Sequence, residues 1–342
     1  METLNYYRDL KKQPECFREH RQQATKIPEQ IRAISDQPII LTGIATSLSA
    51  WKGAYTLLSM QKFQLPVLKN TGDLLEYCFP IQKDMRPLFV MSRSGNSAEI
   101  VRLMKEIQPG RIVAGITEEK DSALGGRANL LLQYTADEQA FQNTSSFTLS
   151  QMYALAVMIG LGYKPSKPLE QLLNILADQA EDFCSIQNED EKLKDIFSET
   201  NTILIDGQGI LTGVAEQYAL DFQETRTAGI SVVGGIMRHG VIELTEKADV
   251  ATIMLIPDDY AAERRFRLAG ELCRQGKKVI ILTDSQPQKD INGYILKIPS
   301  VPVELKTIFF TLGMQKLFGI YLSVKDDLPQ QPALVGKVTR EE

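Results

Sequence analysis

An alternation of short apolar runs with helix-like segments occurs twice along this chain, and it limits the fold more than any other feature. The apolar runs end at glycine or hydroxylated residues, as buried strands commonly do, and a helical pattern follows. Strands that alternate with helices build parallel sheets with both faces covered. The pattern predicts an α/β protein with two tandem, doubly wound parallel-sheet domains of the flavodoxin-like type. The predicted strands begin near residues 38, 66, 88, 111 and 129 in the first series and near 202, 230, 250, 278 and 294 in the second.

The chain has 342 residues, which is enough for two domains of ordinary size. The repeat divides it into a polar, helical N-terminal arm (1–37), a first domain (38–186), a second domain (194–325) and a C-terminal tail (326–342), with a polar linker near 187–193. The main helices are predicted near 47–60 and 146–161 in the first domain and near 213–225 and 304–316 in the second.

Composition restricts the setting and the partners. A net charge of −5 without a long basic cluster argues against a nucleic-acid partner. No apolar run approaches the roughly 18 residues that a membrane span needs, and the N-terminus is too polar for a signal peptide. The 4 cysteines are scattered and the chain has only 2 histidines, which argues against a disulfide framework and a metal site. We therefore expect a cytoplasmic protein with reduced thiols, no metal and no other cofactor.

A serine-rich turn follows the predicted strand at 88–91 and reads Ser92-Arg-Ser-Gly-Asn-Ser97. A turn that opens a helix presents backbone N–H groups and the positive end of the helix dipole, and its hydroxyl groups add further donors. Such a turn suits a phosphate dianion. It lacks the lysine of a P-loop and has one glycine where a dinucleotide fingerprint has three. The turn predicts a small, singly phosphorylated ligand, although an ordinary serine-capped helix fits the same pattern.

Six motifs in order make the chain resemble the sugar isomerase (SIS) family over about 36–342. The closest likeness is to the two-domain isomerase half of glutamine–fructose-6-phosphate aminotransferase and its stand-alone relatives. The motifs are Gly43-Ile-Ala-Thr-Ser47, Ser92–Ser97, Glu138 with Thr144-Ser-Ser-Phe-Thr148, Ala219-Leu-Asp-Phe-Gln-Glu224, Gly235-Ile-Met-Arg-His-Gly240 and the tail Gln331–Thr339, which contains Lys337.

The resemblance implies three catalytic residues for an aldose–ketose rearrangement. Glu224 would be the base that moves a proton between C1 and C2, and His239 would open the sugar ring. Lys337 in the tail would stabilise an oxyanion or form an imine with the opened ketose. In the family this histidine reaches across the subunit interface and the tail folds over the sugar, so a homodimer with shared active sites is implied. A solvated glutamate, a loop histidine and a solvated tail lysine are the ordinary alternatives.

The remaining candidates bind the phosphate or the sugar. Thr46, Ser47, Ser92, Ser94 and Ser97 are the phosphate candidates, while Arg93, Glu138 and Asn143 are expected near the phosphate or the sugar. Each hydroxyl taken alone could be a helix cap or a turn residue. The aromatic residues Trp51, Phe309, Phe310 and Phe318 are better explained as core or interface residues.

The chain also departs from the synthase pattern. It begins Met1-Glu2, without a glutaminase domain or an N-terminal cysteine nucleophile, so we expect no use of glutamine as an ammonia source. Ser145 and Asp221 stand where the synthase has lysines, and Arg93 stands where it has glutamine. These differences indicate a different amino or sugar substituent on the substrate.

The expected function is carbon–nitrogen bond cleavage with aldose–ketose rearrangement on a hexose 6-phosphate that bears nitrogen. One version is deglycation of an amine adduct, which releases glucose 6-phosphate and an amine. The other is deamination of an amino sugar 6-phosphate to a ketose phosphate and ammonia. Simple phosphosugar isomerisation is the nearest alternative. A non-catalytic phosphosugar-binding sensor is the rival from another class, but such regulators normally join one SIS domain to a DNA-binding segment, and the N-terminal arm lacks a basic recognition helix.

Overall fold

The computed structural model describes residues 2–34, 38–185, 190–287, 291–325, 336 and 338–340. The helices are α1 (Glu2–Arg32), α2 (Thr46–Ser59), α3 (Thr71–Glu76), α4 (Ala98–Glu106), α5 (Ala123–Arg127), α6 (Ser145–Gly160), α7 (Leu169–Ser185), α8 (Glu191–Ser198), α9 (Thr212–Glu224), α10 (Ala262–Arg274) and α11 (Val303–Val324). The strands are β1 (Ile40–Gly43), β2 (Val67–Asn70), β3 (Leu88–Met91), β4 (Val113–Thr117), β5 (Leu130–Gln133), β6 (Thr202–Asp206), β7 (Ala228–Val232), β8 (Val250–Ile256), β9 (Lys278–Thr283) and β10 (Tyr294–Lys297). Short 3-10 segments lie at Gly209–Leu211, Ile236–Arg238 and Val241–Glu246.

Two parallel sheets of five strands each confirm the predicted α/β class. The first has the order β2-β1-β3-β4-β5, and the second has the equivalent order β7-β6-β8-β9-β10. In each sheet the second strand of the series lies on one side of the first strand, and the third strand lies on the other side. This reversal of direction creates a topological switch point. Ligands of open parallel sheets bind outside the carboxyl ends of the strands at that point. In the first sheet it lies between β1 and β3.

The strands that flank this switch point are short and wholly buried. All four residues of β3 are buried, as are all four of β1. Helices cover both faces of such a sheet, so no alternation of polar residues is needed. Ile40 pairs with Leu88, and Thr42 pairs with Val90. This register ends both strands at the same level, and the two turns that follow them therefore lie side by side.

The two sheets share one continuous apolar core. That core contains Leu41 of the first sheet and Ile203 of the second. Helices α2 and α9 approach so closely that a Cβ on Gly213 would lie 2.1 Å from the backbone oxygen of Ser49. Trp51, Phe309, Phe310 and Phe318 are all buried in the core, which confirms their interpretation as packing residues. The contact of α2 with α9 brings the end of α9 towards the switch point of the first sheet.

Helix α11 is longer than the sequence prediction. It runs to Val324, beyond the predicted end near 316. It is long and apolar enough to cross a membrane by composition, but 83% of its most apolar window is buried inside the protein, so it is a core helix. Because apolar residues surround the helix on all sides, no amphipathic period marks its end. Lys316 is polar yet buried, and its Nζ lies 4.1 Å from the centre of the Phe183 ring.

The helices α7 and α10 were not predicted; α7 packs against α1 and α11, whereas α10 packs against β8 and β9. Of the predicted linker at 187–193, residues 187–189 lie outside the described part of the chain, and α8 already begins at Glu191. The domain boundaries near the linker therefore stay predictions.

Candidate active site

The serine turn after β3 has the backbone conformation that its sequence requires. Gly95 has a φ of 61°, and a Cβ there would lie 2.0 Å from Oγ of Ser122, so only glycine fits. The backbone N–H of Gly95 donates to Oγ of Ser92 at 3.2 Å, and that of Asn96 donates to Oγ of Ser94 at 3.2 Å. Ser97 is the N-cap of α4, but its side chain makes no capping hydrogen bond. Its hydroxyl can therefore serve a ligand.

The turn after β1 lies beside the serine turn and opens α2. Ala45 has a φ of 48°, which an alanine rarely adopts. Strained backbone of this kind commonly marks a functional turn. Thr46 and Ser47 follow it at the start of α2, and Oγ1 of Thr46 accepts a hydrogen bond from Nδ2 of Asn143 at 3.0 Å. Two hydroxyl-bearing turns thus meet at the switch point.

A cavity of about 530 Å³ opens between these turns and the second sheet's helix α9. Its size falls in the usual range for small-molecule sites, about 300–1,000 Å³. Leu220 and Glu224 line it from α9, so both halves of the chain contribute. Tail residues line it too, and the carbonyl oxygen of Thr339 accepts a hydrogen bond from the backbone N–H of Ala98 at 3.0 Å. The described part of the tail therefore contacts the start of α4.

Most of the predicted site residues meet at this cavity. Those that line it are Thr46, Ser47, Ser92, Arg93, Ser94, Ser97, Asn143 and Glu224. Glu138 does not line it, because its side chain is 0% exposed and lies behind Arg93. His239 is exposed at the end of the 3-10 segment Ile236–Arg238 and does not line the cavity of its own chain. Lys337 lies outside the described residues.

Arg93 is held by two carboxylates at the wall of the cavity. Its Nε donates to Oε2 of Glu118 at 2.7 Å, and its Nη1 forms an ion pair with Oε1 of Glu138. Burial alone would lower the pKa of Arg93, but the facing charges of Glu138 and Glu118 outweigh burial and raise the pKa. One positive charge faces two negative ones, so the cluster is net negative. Arg93 therefore has little unpaired charge left for a phosphate.

Glu138 holds the start of α6 in place and also pairs with Arg93. Its Oε2 accepts hydrogen bonds from the backbone N–H groups of Thr144 and Ser146, both at 3.0 Å, and from Oγ1 of Thr144 at 3.1 Å. Its Oε1 accepts from Oγ of Ser146 at 2.9 Å. A carboxylate at a helix N-terminus also faces the positive end of the dipole. Glu138 thus links the first turn of α6 to the cavity wall.

Sequence reasoning missed Glu118, Glu119 and Tyr134, which also line the cavity. Glu118 and Glu119 come directly after β4, the strand next to β3, so their position at a strand end was the available signal. Tyr134 follows β5, and its hydroxyl lies 3.1 Å from Oγ of Ser150. Among the described residues no group of three or more His, Cys, Asp or Glu side chains could hold a metal ion.

Comparison with known proteins finds sequence relatives named as glutamine–fructose-6-phosphate aminotransferases. A probable glutamine–fructose-6-phosphate aminotransferase of Schizosaccharomyces pombe is 26% identical over 289 residues, which are 80% of this chain and 41% of that protein. The enzyme of the same name from Buchnera aphidicola is 23% identical over 266 residues, 74% of this chain and 43% of its own length. The chain thus spans less than half the length of these relatives. No protein-family profile matches it.

Solved structures share the whole fold at low sequence identity. The C-terminal domain of glucosamine-fructose-6-phosphate aminotransferase from Francisella tularensis has a TM-score of 0.80 at 14% identity, covering 96% of this chain and 98% of that one. Tagatose-6-phosphate ketose/aldose isomerase from Escherichia coli has a TM-score of 0.77 at 20% identity, covering 96% and 95%. Glucosamine-6-phosphate deaminase from Thermotoga maritima has a TM-score of 0.68 at 18% identity, covering 99% of each.

The chain has two parallel α/β sheets, and it shares this fold with sugar isomerase (SIS) domain proteins. Its homologues are the isomerase half of glutamine–fructose-6-phosphate aminotransferase, and its structural neighbours include phosphosugar isomerases and a glucosamine-6-phosphate deaminase. The family resemblance predicted from the six motifs is confirmed.

Proposed function

We propose that this chain is an enzyme that cleaves a carbon–nitrogen bond in a hexose 6-phosphate bearing an amine, with aldose–ketose rearrangement. The observation that carries the proposal is one cavity with two parts. The hydroxyl-bearing turns after β1 and β3 lie on one side, and the carboxylate of Glu224 enters from α9 on the other. The first part suits a phosphate, and the second suits proton transfer at the carbon atoms beyond it.

The hydroxyl groups bind the substrate by its phosphate. Ser94 and Ser97 lie at the N-terminus of α4, while Thr46 and Ser47 lie at that of α2. Two helix N-termini and several O–H donors that face one anion hold it without a metal ion. The phosphate thus anchors one end of the open-chain sugar and sets the distance of C1 and C2 from the catalytic groups.

Glu224 is the proposed base. It is half-buried at the last residue of α9 and faces the cavity. Its carboxylate takes the proton from one of the two carbon atoms and returns it to the other, which interconverts the aldose and ketose forms. A nitrogen substituent then leaves as the free amine or as ammonia after water adds to the carbon–nitrogen double bond.

His239 and Lys337 complete the proposed machinery from outside the described cavity of one chain. His239 is exposed on the second domain. A residue that enters the active site of a partner subunit would be exposed in the same way on its own chain. We therefore propose a homodimer with shared sites. The tail would bring Lys337 to the sugar, and the hydrogen bond between Ala98 and Thr339 supports that path of the tail.

The proposed setting is cytoplasmic. Cys16, Cys78, Cys184 and Cys273 are all free thiols in the structure, which suits a reducing compartment. A sugar 6-phosphate is the proposed partner, without nucleic acid or membrane.

Product analysis by NMR tests the function. The protein is incubated with glucosamine 6-phosphate, galactosamine 6-phosphate, a fructoselysine 6-phosphate adduct and fructose 6-phosphate. Glu224→Gln should lower kcat by about 100-fold or more, the usual contribution of a positioned base. Glu216→Gln is the matched control, because Glu216 lies on the same helix, pairs with Lys52 and does not line the cavity.

Release of an amine from the adduct supports deglycation, and release of ammonia from an amino sugar phosphate supports deamination. Isomerisation of fructose 6-phosphate alone would overturn the carbon–nitrogen cleavage in favour of a simple isomerase. Saturable binding of hexose phosphates without any turnover would overturn the enzyme in favour of a sensor.

A further inference from the structure

Asp221 is a buried carboxyl group that the proposed mechanism does not use. It lies one turn before Glu224 on α9 and is 1% exposed. Its Oδ1 accepts a hydrogen bond from Nε2 of Gln217 at 2.8 Å, whereas its Oδ2 is buried without a hydrogen-bond partner. A buried ionised carboxylate is strongly unfavourable unless a cation pairs with it. Asp221 therefore needs either a cation or a proton.

Within the described part of the chain, the titratable groups that face Asp221 supply no cation. They are the carboxylates Glu224, on the same helix, and Glu138, before α6, together with the phenols Tyr6 of α1 and Tyr218 of α9. Burial first, and the charge of Glu224 next, raise the pKa of Asp221 well above its usual range, while the hydrogen bond from Gln217 opposes this rise.

Three cations on neighbouring described elements are engaged elsewhere. Lys52 of α2, which packs against α9, forms an ion pair with Glu216 at the outer part of that helix. Lys316 of α11 lies over the ring of Phe183. Arg93 pairs with Glu118 and Glu138. None of these ion pairs includes Asp221.

We propose that Asp221 is held as a neutral carboxylic acid and is a positioning residue for Glu224. The proposal rests on the proposed role of Glu224 as the base. With the proton on Asp221, the single negative charge of the two carboxyl groups lies on Glu224, the one that faces the cavity. A cation one turn away would stabilise ionised Glu224 and make it a weaker base. The lysine that the synthase pattern has at this position would be such a cation, so the neutral acid leaves Glu224 the stronger base.

Infrared difference spectroscopy tests the protonation directly. Asp221→Asn has nearly the shape of the neutral acid and can still accept the hydrogen bond from Gln217. At about pH 7 the wild-type spectrum should show the carbonyl band of a protonated carboxylic acid, and Asp221→Asn should lack it. The absence of that difference would overturn the proposal. This measurement does not depend on turnover, so its failure is distinct from a failure of the proposed function.

A second variant tests the coupling to Glu224 and does not replace Asp221. In Glu224→Gln the facing negative charge is gone, so the carbonyl band of Asp221 should disappear at a lower pH than in the wild type. An unchanged titration of the band would show that the two groups do not interact and would overturn the positioning role.

The pH dependence of kcat/KM reports the charge of Asp221 in the working enzyme, because an ionised Asp221 would disfavour the ionisation of Glu224 and replacing it by a neutral residue would then move the midpoint. In Asp221→Asn the midpoint of the acid limb should stay within about half a pH unit of the wild type, since neither side chain carries a charge. A larger shift would show that Asp221 is ionised in the working enzyme and would overturn the proposal.

Discussion

Replacing Glu138 by glutamine should destabilise the folded protein by about 2–3 kcal/mol. The removal of one partner from a buried ion pair costs about 3–5 kcal/mol, because the other charge stays buried without compensation. Here the cost is reduced, since Arg93 keeps its 2.7 Å contact with Glu118. A glutamine carbonyl can also keep accepting the two backbone hydrogen bonds from Thr144 and Ser146 at 3.0 Å. Its amide group, however, would face Nη1 of Arg93 with a donor instead of an acceptor.

The assay is urea unfolding followed by circular dichroism at neutral pH, with midpoints compared at a common slope. Glu119→Gln is the matched control. Glu119 is also at the cavity, but it is exposed and no ion pair is described for it, so this variant should unfold at the wild-type urea concentration. If Glu138→Gln unfolds at the same urea concentration as Glu119→Gln, then the buried ion pair does not stabilise the fold and the reasoning is refuted.

Three further predictions concern the turn, the buried acid and the subunit interface. Gly95→Ala should weaken the binding of glucose 6-phosphate, measured by calorimetry, at least about 10-fold, because a Cβ would collide with Ser122 and a φ of 61° disfavours alanine. Gly126→Ala is the control and should bind as the wild type does, because no atom lies within 4 Å of the added Cβ. Equal affinities of the two variants would contradict the assigned phosphate turn. The free energy of unfolding of Asp221→Asn should exceed that of the wild type by an amount that grows as pH rises above about 4, because the folded wild type keeps a proton that the unfolded chain has released. A difference that is constant with pH would show an ordinary pKa for Asp221. A mixture of inactive Glu224→Gln and His239→Asn dimers should recover about a quarter of the wild-type activity after subunit exchange. Random pairing makes half of the dimers mixed, and each mixed dimer has one intact site of its two shared sites. No recovery would place both residues in the site of one subunit.

The fold could be predicted because its signals are local. Buried runs such as Leu88–Met91 and the turn that follows them are read from neighbouring residues, and the order of these units implies parallel sheets. Helix α11 was predicted too short because its boundary is set by packing. Its polar residue Lys316 lies against Phe183 instead of marking an end, and that contact joins distant parts of the chain.

The site was predicted less completely because charge networks depend on contacts across the sheet. The serine and threonine hydroxyls lie where the strand ends predict. Arg93 lines the cavity, and its binding to the phosphate or the sugar stays a prediction. Its pairings with Glu118 and Glu138 were not predicted, because neither pairing has a signature in the linear sequence. The same holds for Asp221, which is buried close to Tyr6 of α1 and to Glu138 of the first domain.

Helix α11 has a consequence for how the protein is made. It is the last helix in the described part of the chain, and it packs against α1, α2, α6 and α7 as well as against α8 and α9. The first domain therefore leaves the ribosome with the apolar surface that α11 will cover still open. Because domains generally fold in order of synthesis, at about 5–20 residues per second, this surface stays exposed while about 140 further residues, from the end of α7 to the end of α11, are added. The apolar surface that α11 covers can therefore be buried only after residue 324 has emerged.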